Sequence, residues 1–536
     1  MFAHDFATHH PMKMIAKRGN LRGDIVDAAI RYDADLGVFE RRRVARVLCV
    51  ADAVEPDDFA GHVKAGDLFP AGAGMTMCNE VALPSPVELR RFDIPGPRYT
   101  SYPTADRFVE AYDAAAHASA LAARSAASGP LSLYIHLPFC DTICYYCACN
   151  KVVTRDHART ARYLDALERE AELISTRLSG PRAVEQLHLG GGTPTFLASD
   201  ELRRLVALLT QRFAPVDHAE FSVEIDPRSA PAEKIRTLAE LGCNRISVGV
   251  QDFDADVQQA VNRLQGFELT QATIEAARAS GIRSINLDLI YGLPRQTRAS
   301  FSRTLDKVLV LSPERIALYH YAHLPERFKP QRRIDTAELP SPAEKMRIML
   351  DAISRLSAAG YRYIGMDHFA KASDELAQAQ IQGRLHRNFQ GYSTRPDADL
   401  IGLGVSAISK VGPTYAQNAR ELDTYYRCLA DGELPTARGM LLEADDLVRR
   451  AAIMALMCHF EVSKEAIAEA NLVDFDRYFA RDLVQLRPFV DEGLVEETRE
   501  WISITPRGKL LVRAIAMCFD RYLRRDASAR HFSRIV

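Results

Sequence analysis

Between residues 131 and 369 the sequence alternates short apolar runs with longer amphipathic ones, and this alternation constrains the fold more than any other feature. LSLYIHL (131–137), VEQLHLG (184–190), FSVEI (221–225), RISVGV (245–250), SINLDLI (284–290) and RIALYHY (315–321) read as strands. Between and after them, 161–178, 199–213, 231–240, 255–280, 299–310 and 342–359 carry apolar residues at helical spacing. YRYIGMDHF (361–369) reads as a seventh strand. Strands that alternate with helices form parallel βαβ units, and six or seven in succession predict a barrel, complete or partial, rather than an open sheet.

The strands end on unusual residues. Four cysteines follow the first: Cys140, Cys144, Cys147 and Cys149. Gly190 to Thr193 follow the second, and Glu224 and Asp226 lie at the end of the third. Gln251 follows the fourth, Asp288 lies in the fifth, and Tyr319 to His323 close the sixth. In parallel barrels this is the active-site end. Cys140, Cys144 and Cys147 are spaced C-x3-C-x2-C. Three thiolates on one loop can hold three irons of a four-iron cluster and leave the fourth open for chemistry. Zinc is the alternative, with His136 as a fourth ligand. The position of the loop after the first barrel strand favours chemistry over structure. Tyr146 between the second and third cysteines offers a ring that can pack on an adenine.

GGGTPT (190–195) lets a backbone approach a ligand closely, with N–H groups expected to be free to bind it. It lacks the spacing of a phosphate-binding loop. In EIDPR (224–228), Asp226 suits a helix N-cap before Pro227, which leaves Glu224 for ribose hydroxyls or an ammonium. Arg263 and Asp288 add a cation and a further carboxylate.

The formal net charge of -2 gives no field for nucleic acid or an anionic membrane. No apolar run approaches the roughly 20 residues that span a bilayer, and the first residues have no signal-peptide core. A cytoplasmic setting is expected, where clustered cysteines bind metal rather than form disulfides. Residues 1–85 show no periodicity and are expected to be a disordered extension or a mis-called start, with Met75 and Met77 just before the patterned sequence. The other expected divisions are a segment covering the site (86–130), the barrel (131–370), a connecting loop and strand that completes the site (371–435), and a helical domain (436–536). In that last domain, helices followed by ISITPRGKLL suggest a winged-helix-like unit used for packing or as a lid.

CDTICYYCACNK, GGGTPT, EIDPR, GVQDF and DLIYGLP together resemble the radical S-adenosylmethionine enzymes. With PGPRYTSYPTA (95–105) and LHRNFQGYST (385–394), the resemblance narrows to the oxygen-independent coproporphyrinogen III oxidases, from about residue 90 to the C-terminus. It implies an α/β fold, a partial (β/α)6-type barrel with a mainly helical C-terminal domain. It implies a [4Fe-4S] cluster on Cys140, Cys144 and Cys147. It implies two S-adenosyl-L-methionine molecules, one contacted by Tyr134, Gly191, Glu224 and Ile408. The second would be contacted by Tyr146, Gly192, Thr193, Gln251, Arg263, Asp288 and Ala322. Cys149 resembles a fourth cysteine needed for activity without being a cluster ligand. The implied reaction converts the ring A and B propionates of coproporphyrinogen III into vinyl groups, giving protoporphyrinogen IX in haem biosynthesis. A 5'-deoxyadenosyl radical would remove the β-hydrogen, and CO2, methionine and 5'-deoxyadenosine would be released. A low-potential electron donor such as flavodoxin or ferredoxin is implied, and a monomer is expected. Arg98 is the candidate partner of the substrate carboxylates.

Two rivals share the scaffold. A haem-binding chaperone would lack the cysteine at position 149 and would carry H-N-x-x-Y-W where this chain has HRNFQGY (386–392). A radical methyltransferase would give a methylated product instead of CO2.

Overall fold

The structure is a computed structural model; it describes residues 86–395, 398–525, 532 and 534. The expectation for residues 1–85 falls outside them.

Six parallel strands form the centre: β1 (Leu131–Leu137), β2 (Ala183–Gly191), β3 (Ala214–Ile225), β4 (Arg245–Gln251), β5 (Ser284–Tyr291) and β6 (Arg315–His320). The main crossover helices are α1 (Ala158–Arg177), α2 (Ser199–Arg212), α3 (Ala232–Glu240), α4 (Phe267–Ala279) and α5 (Arg298–Leu311), and α6 (Pro342–Ala358) follows β6. The helices begin where the sequence supplies caps. Thr297 accepts from the Ser300 amide at 3.1 Å to open α5, and Ser341 caps α6 just before Pro342. α1 buries Tyr163, Leu164, Leu167, Ala171 and Ile174, one stripe at helical spacing.

The sheet is wider than expected and does not close. 361–369 is not one strand but a hairpin, β7 (Tyr361–Gly365) and β8 (His368–Lys371), with β8 antiparallel to β6. Gly365 at φ +140° and Met366 at φ +54° turn the chain there. At the other edge, β9 (Asp399–Leu403) runs parallel to β1. It is followed by antiparallel β10 (Ile408–Val411), β11 (Thr414–Asn418) and β12 (Thr436–Leu441). The stretch expected to be a connecting loop and strand (371–435) thus supplies three strands of this sheet, and β12 opens the region expected to be helical. The spatial order is β12-β11-β10-β9-β1-β2-β3-β4-β5-β6-β8-β7. The barrel is partial.

Alternation along the central strands divides two environments. Ile246, Val248 and Val250 of β4, and Ile285, Leu287 and Leu289 of β5, are buried in the main apolar core. Each contributes about 1.5–3 kcal/mol of burial, and Leu287→Ala would cost about 2–5 kcal/mol. Their neighbours on the other face are polar and line a cavity. In place of apolar layers, the interior has hydrogen-bonding side chains.

Beyond β12 comes α7 (Ala444–His459), then further helices around a three-stranded antiparallel sheet built from Glu461–Ser463, Val495–Glu497 and Trp501–Ile504. This unit docks on the segment 95–104. Tyr99, fully buried, donates to Asp520 at 2.9 Å, and Arg513 donates to the carbonyls of Gly96 and Pro97.

Candidate active site

The cavity at the C-terminal ends of the central strands has a volume of about 380 Å³. Tyr146, Gly191, Gly192, Thr193, Glu224, Gln251, Arg263, Asp288 and all four clustered cysteines line it. Three of the expected cofactor contacts do not. Tyr134 lies just behind, its hydroxyl 3.1 Å from His136 Nδ1 and its ring stacked on His188. Ala322 follows β6, and its carbonyl accepts from Gln331, whose amide also reaches the Tyr146 carbonyl at 3.1 Å. Ile408 opens β10 and packs beside Phe108 and Tyr415.

Each of the three candidate ligand thiols meets a donor. Thr193 Oγ1 lies 3.3 Å from Cys140 Sγ. Arg228 and Arg263 reach Cys144 Sγ at 3.5 and 3.7 Å. A bond from Cys149 and the ammonium of Lys151 hold the Cys147 thiol down at about 6 against burial, whereas burial pushes Cys140 up to about 12. Both guanidinium groups share Asp226, Arg228 at 2.7 Å and Arg263 at 3.0 Å. Asp226 also caps the short turn Pro227–Ser229 through the Arg228 amide. Burial alone would raise its carboxyl, but Arg263 and Arg228 outweigh that and hold it at about 2.

The zinc alternative loses its fourth ligand. His136 Nε2 lies 2.8 Å from the Asn150 carbonyl and Nδ1 meets Tyr134, so both ring nitrogens are engaged. Three thiols with cationic and hydroxyl donors around them suit a larger group that carries negative charge.

The glycine run works differently from expectation. Its amides are not free: Gly191 donates to Glu224 at 3.0 Å, Gly192 to the Leu137 carbonyl and Thr193 to the Phe139 carbonyl. What the glycines provide is close approach. A Cβ at Gly192 would stand 2.6 Å from the Pro138 backbone, and Gly191 has φ +113° against the His136 ring. The turn is therefore fastened to the start of the cysteine loop.

Glu224 and Asp288 face the cavity in different states. Burial raises Glu224, but His188 and the Gly191 amide outweigh it and leave it below the usual range. Asp288 accepts from Ser247 at 2.7 Å and from Asn286 at 2.9 Å, yet burial still pushes it up to about 6. Arg98 meets Asp367 and lies 5.7 Å over the Tyr319 ring.

Residues 134–308 match the family model of the radical SAM superfamily, and 442–511 match the HemN C-terminal domain. An oxygen-independent coproporphyrinogen III oxidase from Pseudomonas aeruginosa is 51% identical over 450 residues, covering 84% of this chain and 98% of the relative. The Escherichia coli protein of the same name is 46% identical over 448 residues, covering 84% and 97%. The chain belongs to the oxygen-independent coproporphyrinogen III oxidases. Within that family, the solved structure titled "Coproporphyrinogen III oxidase (HemN) from Escherichia coli is a Radical SAM enzyme" superposes with a TM-score of 0.77 at 47% identity, covering 80% of this chain and 98% of that one. Radical SAM membership implies a [4Fe-4S] cluster and S-adenosylmethionine, and the thiol set described above fits such a cluster.

Several members of this oxidase site lie outside the sequence expectations. His188 holds Glu224 and stacks under Tyr134. Arg228 reaches Cys144. Gln186, Ser222, Ser247 and Asn286 line the interior. Their signal is a polar residue at every second position of an otherwise apolar strand, as in VEQLHLG and SINLDLI.

Proposed function

We propose that this chain is a coproporphyrinogen dehydrogenase. It converts the ring A and B propionates of coproporphyrinogen III to vinyl groups without oxygen, giving protoporphyrinogen IX and CO2. The observation that carries this reading is the loop of Cys140, Cys144 and Cys147, each thiol beside a donor and all opening on one polar cavity with Glu224 and Asp288.

Cys140, Cys144 and Cys147 would hold the cluster. Tyr134, Gly191, Glu224 and Ile408 would bind the first S-adenosylmethionine. Tyr146, Gly192, Thr193, Gln251, Arg263, Asp288 and Ala322 would bind a second. When bound, these groups supply a carbon radical able to remove a hydrogen from the β-carbon of a propionate. The chain's residues position and shield. Arg228 and Arg263 place positive charge against Cys144, and ionised Glu224 suits ribose hydroxyls or an ammonium. Segment 95–104 and the C-terminal unit cover the mouth and exclude water. Cys149 has a task apart from ligation, and its presence separates this reading from the haem-binding chaperone.

The division of the chain into a covering segment, barrel, connecting region and C-terminal domain belongs to the same reading. So do a cytoplasmic monomer, a flavodoxin- or ferredoxin-like donor, and no nucleic acid or membrane partner. Among the described residues, no helix is long and apolar enough to cross a membrane.

The test is anaerobic reconstitution with iron and sulfide, then addition of reductant, S-adenosylmethionine, coproporphyrinogen III and an electron acceptor. Protoporphyrinogen and CO2 are expected. No product at full cluster occupancy would overturn the reading, and a methylated product would replace it with methyl transfer.

A further inference from the structure

The hairpin of His386–Asn388 and Gly391–Ser393 contributes Gln390, Tyr392 and Ser393 to the cavity wall. Behind Tyr392 lies Arg387. It is only 4% exposed, and its guanidinium stands 4.6 Å from the Tyr392 ring centroid. Its Nε and Nη1 have no hydrogen-bond partner, and no carboxylate pairs with it among the described residues. A buried guanidinium cannot shed its proton, so leaving it without an anion is costly.

Arg387 also borders a second cavity, of about 20 Å³, whose remaining polar lining is Thr100, Ser101, His386, Asn388, Lys410, Tyr415 and Arg450. No acidic side chain lines it. That is space for one small polar group such as a carboxylate oxygen, and not for a ring. Arg98, paired with Asp367, stands nearby. Burial, and after it the charge of Arg387, lowers Arg98. Between them, His368 sits edge-on to Tyr319 and Tyr392, with Nδ1 unpartnered and its proton disfavoured by burial and both arginines.

We propose that this small basic cavity is a carboxylate subsite, in which Arg387 receives one propionate of the tetrapyrrole while its macrocycle occupies the larger cavity beyond Tyr392. The proposal rests on the oxidase reading for the identity of the ligand. Five elements meet at the subsite: the covering segment through Thr100 and Ser101, the hairpin, β10 through Lys410, β11 through Tyr415, and α7 through Arg450. A bound carboxylate therefore touches the covering segment and the C-terminal unit at once.

The probe is coproporphyrin III, the stable oxidised tetracarboxylate, titrated by absorbance into the reconstituted protein. Arg387→Gln is expected to weaken its binding by about tenfold or more and to raise the KM for coproporphyrinogen III similarly. S-adenosylmethionine affinity and melting temperature should stay as in the wild type, and Arg387→Lys should recover part of the loss. Unchanged porphyrin binding in a folded Arg387→Gln protein would overturn the subsite. A loss matched by falls in melting temperature and S-adenosylmethionine binding would overturn it in favour of a structural role. Competition by inorganic phosphate as effective as that by a short dicarboxylate would overturn the carboxylate assignment. Failure of the oxidase reading is separable: wild-type porphyrin binding that depends on Arg387 but produces no vinyl product would sink the reaction and keep the site.

Discussion

Asp226 and Arg263 are joined at 3.0 Å beneath the cysteine loop, and the same guanidinium reaches Cys144 Sγ at 3.7 Å. Asp226→Asn would remove the charge that holds two arginines and leave Arg263, only 6% exposed, uncompensated. Breaking a buried pair in this way costs on the order of 3 kcal/mol. A lower urea midpoint and lower iron content after reconstitution are expected. Wild-type iron content would show that Cys144 needs no such support.

The four cysteines should separate by iron content. Cys140→Ser, Cys144→Ser and Cys147→Ser should each fail to hold an intact cluster. Cys149→Ser should keep iron and sulfide near the wild-type ratio yet lose turnover. Iron loss in Cys149→Ser would move that residue into the ligand set.

Gly192→Ala sets a Cβ against the Pro138 carbonyl carbon and oxygen, both backbone atoms that cannot rotate away. Overpacking of this kind costs on the order of 2 kcal/mol. The displaced loop should take up iron poorly while the far-ultraviolet circular dichroism is unchanged. Normal iron uptake would mean that the turn and the loop are not mechanically linked.

Glu170 of α1 is fully buried and accepts from the Gly404 amide at 2.7 Å, Asn418 at 2.6 Å and Tyr425 at 2.6 Å. Burial raises its carboxyl to about 7 despite those bonds. A folded-state value above the unfolded one means stability that is full below about 4.5 and lost as pH rises through 7. The loss is on the order of 3 kcal/mol. Glu170→Gln should flatten this dependence in denaturant titrations at a series of pH values. An unchanged slope would show that the carboxyl ionises without penalty.

Much of this architecture is legible in the sequence where one physical signal dominates. The six central strands stand out because their outer faces are apolar and helices follow each one. A strand is legible in the stretch that holds β9, but its place beside β1 is not, because every residue from Asp399 to Leu403 is buried and the run shows no alternation. The 361–369 hairpin is hidden because its turn depends on Gly365 and Met366 rather than on a familiar turn pair. Cysteine spacing is visible as a pattern. The role of Arg228 is not, because its contact with Cys144 spans 84 positions. The glycine run is legible as a close approach, but not as one whose amides are already engaged, since their partners come from a different strand end.

The sheet has two unjoined edges, β12 and β7. In a closed barrel, strand number and stagger fix the girth of the interior. Here no such arithmetic applies, and the width available to a guest depends on the pieces that bridge the gap. The hairpin is one such piece, fastened by the Tyr392 hydroxyl to the Met457 carbonyl of α7 at 2.8 Å. Ligand size is thus governed by replaceable spans rather than by the strands that carry the chemistry, so the catalytic frame can stay constant while the dimensions of its guest change.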